Sequence, residues 1–227
     1  MHFLLLIVFV FLLVFAPGWW VRKVMSRYST PADRYDGTGG ELARYLLDSF
    51  DLKHVKVEET PEGDHYDPRD KVVRLTPDKL NGRSLTAVTV AAHEVGHALQ
   101  DATGYAPLRI RSQLVMLTQP VQKLGAGILM AAPFVGMLTR APIISLLMIL
   151  GGLMSLGATT LVHLVTLPTE LDASFKRAMP MLEKGDILKP VDLPHARRLL
   201  KAAALTYLSA SLASLLNIAR WWALLRR

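Results

Sequence analysis

Two histidines and a glutamate, His93, Glu94 and His97, stand in the pattern H-E-x-x-H. On an α-helix, residues four apart lie on one face about a turn from each other, so two imidazoles at this spacing can grip a single ion. Glu94 follows the first imidazole directly, close enough to hold a water at that ion without being a ligand. Zinc is the default metal for two imidazoles and a carboxylate with a fourth position left to water, and peptide hydrolysis is the chemistry of such a site. The chain has no cysteine, which excludes disulfides and thiolate ligands and leaves His, Glu and Asp to hold any metal. Core histidines on a buried helix face are the plain alternative.

The element that must present these residues is a helix beginning at Ser84, a good N-cap, and running to Gln100 before Gly104 ends it. Ala91, Ala92 and Ala98 flank the motif with small side chains that let other groups approach. Gly96 costs the helix about 1 kcal/mol without a packing gain visible in the sequence. A third ligand is required, and Glu170 is the best candidate. It follows Pro168 at the start of a predicted helix, with the small Ala173 three residues on and Ser174 four residues on, where a hydroxyl can hydrogen-bond a liganding imidazole. A carboxylate at a helix start is also welcome simply as a cap.

Ahead of the motif, 41–50 reads as a helix with Leu42, Leu46 and Phe50 on one face, while 53–58 and 71–75 read as short strands separated by turn residues. The expectation is a two-stranded β-ribbon, with 71–75 either an exposed edge on which an extended peptide can pair or a strand that only covers the motif helix. His195, Tyr207, Arg177 and Tyr66 are candidates for stabilising a developing oxyanion. His54 and His65 read as surface residues.

With 51% hydrophobic residues and a mean hydropathy of +0.29, the chain is too apolar for an ordinary soluble domain. Four segments suit a bilayer: 1–20, which ends in Trp19 and Trp20; a hairpin over 124–167 interrupted by Arg140; and 202–227. Between them lie polar parts over 21–123, carrying the motif, and 168–201, carrying Glu170. Arg22, Lys23 and Arg27 after the first apolar run, with seven Lys or Arg in 168–201, place both polar parts on the cytoplasmic side. The formal net charge of +7 is explained by these flanking cations, and no interleaved basic and aromatic block suggests nucleic acid. The expected fold class is an α-rich (α+β) membrane protein: a zincin-like metallopeptidase core with a short β-ribbon and about four transmembrane helices.

The chain resembles the YugP-like neutral zinc metallopeptidases, a bacterial membrane family. The resemblance is carried by His65-Tyr66-Asp67-Pro68, by the run from Ala91 through the motif to Gln100, by the run from Leu164 through Glu170 to Ser174, and by Ala202-Ala203-Ala204-Leu205-Thr206-Tyr207. It implies an integral protein of the bacterial inner membrane that binds one zinc ion per chain through His93, His97 and Glu170, with Glu94 as general base and a peptide or protein as substrate. The chain differs in having Leu171-Asp172 where the family tends to carry Phe-Asn. It also has a histidine at 163, the alternative third ligand. A zinc-stabilised membrane scaffold or chaperone with little turnover is the competing function, and the sequence leaves the oligomeric state open.

Overall fold

A computed structural model describes residues 2–185 and 187–205. The chain divides into two compact units, one formed by 1–16, 110–166 and 207–227, the other by 17–109 and 167–206. In the first, the parts of α5 (Ala106–Thr139) and α6 (Pro142–Leu171) within 110–166 turn back on each other at Arg140, whose φ of 54° reverses the chain. Small residues line their seam. Ser145 Oγ donates to the Ala132 carbonyl at 3.1 Å, and a Cβ on Gly125 would meet Ser155 Oγ at 1.9 Å.

Among the described residues no helix is long and apolar enough to cross a membrane. This corrects the expectation of about four transmembrane helices, and the cytoplasmic assignment that rested on those crossings falls with it. The helices do not coincide with the apolar runs. α1 (His2–Tyr28) continues past its apolar start through Arg22, Lys23 and Arg27, and α5 begins far upstream of 124, taking in Arg109, Arg111, Pro120 and Lys123. The fourth candidate, 202–227, lies outside the described residues from 206 onward.

The second unit holds the motif. α2 (Gly39–Ser49) starts on a capping box in which Thr38 Oγ1 accepts from the Glu41 backbone N–H and the Glu41 carboxylate accepts from that of Thr38. Three strands follow, β1 (Lys56–Glu59), β2 (His65–Asp67) and β3 (Val72–Leu75), in the order β1-β3-β2. β3 pairs parallel with β1 and antiparallel with β2. The sheet therefore replaces the predicted two-stranded ribbon. Its central strand is β3, whose Val72, Val73 and Leu75 are all buried, so 71–75 is not the exposed edge. The short α3 (Pro77–Leu80) leads into α4 (Leu85–Ala102), where Ser84 Oγ accepts from the Ala87 N–H as the N-cap and Gly104, at φ +65°, closes the C-terminus. α4 is the spine of this unit, with Leu85, Ala91, Ala92, Val95 and Ala98 buried in a core shared with Leu47, Val73 and Leu182.

Beyond the Pro168 ring, which α6 accommodates in its last turn, the helix does not restart as the sequence suggests. It passes without a break into a π-helical stretch, Asp172–Ala178, and then α7 (Met179–Lys184). The Met179 N–H donates to the Ser174 carbonyl, five residues back. Gly96 explains itself here. A Cβ at that position would sit 2.8 Å from the Ala173 carbonyl oxygen, so glycine is what lets α4 and the π stretch meet backbone to backbone.

A buried carboxylate closes this unit. After the short turn Pro190–Asp192, a helix α8 occupies 193–205. Asp192, fully buried, accepts from Arg34 Nε and Nη2 at 2.7 and 2.5 Å and from the Tyr35 hydroxyl at 2.5 Å. Burial pushes the Asp192 carboxyl up, but the Arg34 and Tyr35 bonds and the Arg34 charge win and hold it below the ordinary carboxylate range. Because the folded value is the lower one, the bridge contributes fully above the unfolded pKa of about 3.9 and is lost as pH falls through the folded value. Urea unfolding across pH 3–7 should show Asp192→Asn less stable than wild type near pH 7, with the gap narrowing toward pH 3. Gly96→Ala should lower stability by about 1–3 kcal/mol in the same assay, because a backbone carbonyl rather than a flexible side chain must move; an unchanged midpoint would contradict the close approach.

Candidate metal centre

α4 presents His93 and His97 on one face, and the end of α6 brings Glu170 against them. His93 Nε2 lies 3.1 Å and His97 Nε2 3.4 Å from the same oxygen, Glu170 Oε2. The rings meet edge to face, with centroids 4.7 Å apart and planes at 79°. All three ligand atoms fall within 4.8 Å of one another, and all three residues are buried, Glu170 to 1% exposure. Glu94 is buried as well, and stands one residue after His93 and three before His97.

The donor set fits zinc. With bonds of about 2.0–2.1 Å to imidazole nitrogen and carboxylate oxygen, a tetrahedral ion separates neighbouring ligand atoms by about 3.3 Å. The two contacts to Glu170, at 3.1 and 3.4 Å, bracket that value. The group could therefore hold a metal ion. Electrostatics agrees. Burial pushes the Glu170 carboxyl up, yet the neighbouring His97 and His93 hold it well below the ordinary range, so the oxygens are those of a carboxylate.

Around the three lies a set of polar contacts. Ser174 Oγ is 3.2 Å from His93 Nδ1. His97 Nδ1 is 2.9 Å from Gln100 Oε1. Gln100, fully buried, donates through Nε2 to the Thr169 carbonyl at 2.8 Å and to Asp172 Oδ2 at 2.9 Å. Arg177 Nε donates to that same Asp172 oxygen at 2.8 Å, and its guanidinium lies over the Tyr105 ring. Burial pushes the Asp172 carboxyl up, and the Gln100 and Arg177 bonds with the charges of Arg177 and Lys176 bring it below the usual range.

Gln100 and Asp172 are absent from the sequence-level candidates. Gln100 carried a usable signal, since it stands three residues after His97 on the same helical face. Asp172 carried none, because its reach to Gln100 depends on how α4 and the π stretch approach. The oxyanion candidates are otherwise engaged: Tyr66 donates to Asp101 at 2.6 Å, Arg177 binds Asp172, and His195 stacks on Tyr28 with ring centroids 5.0 Å apart. His65 Nδ1 faces the Gly63 carbonyl at 2.8 Å. Tyr207 and the side chain of His163 lie outside the described residues.

Comparison with known proteins points to the same chemistry. The chain is 36% identical over 221 residues to a Bacillus subtilis (strain 168) protein named "Putative membrane protease YugP", covering 94% of each. No solved structure matches it. A family model described as "Putative neutral zinc metallopeptidase" matches residues 3–226, and with nearly the whole chain inside that match, the protein belongs to the neutral zinc metallopeptidase family.

Proposed function

We propose that the protein is a membrane-associated peptidase that hydrolyses peptide bonds with one zinc ion per chain, held by His93, His97 and Glu170, and with Glu94 as general base. The observation that carries this reading is the convergence of both Nε2 atoms on one buried Glu170 oxygen. A zinc ion bound there supplies a Lewis acid for the scissile carbonyl and brings the pKa of a water to roughly 7. Glu170 contributes a full negative charge, so the ion's charge is partly neutralised within the site. Ser174 and Gln100 restrain the two rings from behind. Glu94 accepts the proton of the attacking water and returns it to the amine nitrogen as the peptide bond breaks, a transfer worth about 10²–10⁴ in rate. Since β3 is interior, the edges left for an extended substrate are β1 and β2.

The lipid-surface part of the reading rests on the α5–α6 hairpin. Phe134, Met137, Leu138 and Ile143, on either side of its turn, are 69–86% exposed, an apolar cluster that water does not favour and a headgroup boundary accepts. The relative's name points the same way for that protein.

A scaffold that merely uses zinc for stability has no need of a base at position 94. Glu94→Gln should keep about one zinc per chain by metal analysis and cut cleavage of a casein or peptide-library substrate by at least about 10²-fold, whereas His93→Ala and Glu170→Ala should lose the metal. Wild type that binds zinc and cleaves nothing would leave the scaffold as the better description. Separately, the full chain should float with phospholipid vesicles in a density gradient, and replacing Met137, Leu138 and Ile143 with serine should reduce that fraction; flotation unaffected by these changes would remove the hairpin from the proposal.

A further inference from the structure

Neither ring in the metal site is useful to an ion unless its Nε2 offers a lone pair, and that depends on where the ring carries its proton. At Nδ1 the surroundings of His93 do not decide this, although in the absence of an ion its Nε2 faces the Glu170 carboxylate at 3.1 Å. Ser174 Oγ can either donate to or accept from Nδ1. For His97 the contacts do decide it. Gln100 has one acceptor end and one donor end, and two oxygens flank the donor end: the Thr169 carbonyl at 2.8 Å and Asp172 Oδ2 at 2.9 Å. Rotating the amide by half a turn would press Gln100 Oε1 against both. The acceptor end must therefore face His97 Nδ1, at 2.9 Å, and that nitrogen must carry a hydrogen.

We infer that Asp172 is a positioning residue for the metal site: anchored by Arg177, it fixes Gln100 in one amide orientation, which keeps a proton on His97 Nδ1 and reserves Nε2 for the metal. This deepens the zinc reading and rests on it, although the proton's position can be measured without any metal. Both bonds to Asp172 converge on the single oxygen Oδ2. An asparagine with its carbonyl oxygen in that place can accept both, while leucine can accept neither. The two imidazoles thus have different duties. His97 is set in advance, and His93, backed by a rotatable hydroxyl, adjusts its proton when the ion arrives.

The first experiment is long-range ¹H–¹⁵N correlation on the metal-free full chain with labelled histidine, the His97 signals being assigned by their loss in His97→Asn. Nδ1 of His97 should appear protonated; a proton on Nε2 with Nδ1 bare would overturn the inference. The second is zinc affinity by chelator competition. Asp172→Leu should bind zinc about tenfold or more weakly, and Asp172→Asn should stay within about threefold of wild type, since it loses charge but not the acceptor. Wild-type affinity in Asp172→Leu, or equal losses in both variants, would count against the role assigned to Oδ2. If Asp172→Leu does not fold, the ring measurement on the unmodified chain decides alone. If wild type binds no zinc, the peptidase proposal fails while the position of the His97 proton remains readable.

Discussion

Putting an ionised carboxylate almost wholly out of water is the demand around which the rest of this protein is arranged. Glu170 is 1% exposed, and removing such a group from water costs several kcal/mol unless other groups replace its hydration. His93 and His97 do so, and a metal bound by all three would do so more completely. The requirement fixes the relation of α4 to the end of α6 within about the length of a hydrogen bond. Small residues make that spacing possible: Gly96 on one side and Ala173 on the other leave no side-chain layer between the two backbones.

The same demand explains why the surrounding polar groups are ordered. A buried amide left unpaired would cost about 1–3 kcal/mol, and a buried carboxylate more. Gln100, Asp172 and Arg177 avoid this by running in one sense, each donor meeting an acceptor, until the charge reaches an arginine laid over Tyr105. In the other half of this unit Asp192 solves the same problem with Arg34 and Tyr35. Glu170 and Asp192 are thus each buried beside groups from a distant part of the chain.

What could be read from the sequence was what local spacing encodes. The α4 cap at Ser84, its end near Gly104 and the shared face of His93 and His97 all follow from residues within a few turns of one another. Glu170 was reachable by its chemistry, and Ser174 by its distance from Glu170. The sheet was not, because β2 consists of three residues set among turn formers, and only tertiary pairing makes β3 the central strand. Apolar runs were also a poor guide to where helices stop: α1 and α5 extend into charged residues that the runs exclude. Pro168, read as lying just before a new helix start, lies inside a continuous helix, where a proline costs a backbone hydrogen bond but does not end the helix.

Pro168 stands two residues before Glu170 and the π stretch begins two residues after it, so the carboxylate sits where the α-helix gives way to the wider π turn. Regular helices spend their carbonyls within their own ladder. Here the Thr169 carbonyl also accepts from Gln100, which a backbone oxygen can do with its second lone pair only if it is turned toward the neighbouring helix. The junction of α6 with the π stretch therefore does two things: it brings Glu170 Oε2 to the imidazoles, and it offers the Thr169 oxygen that, with Asp172, orients the amide behind His97. A straight α-helix through 168–178 would have to change the relative positions of Glu170, Thr169, Asp172 and Ser174, and with them the contacts to both histidines. The rare backbone form is thus tied directly to the chemistry of the site, which is where such departures are most often found.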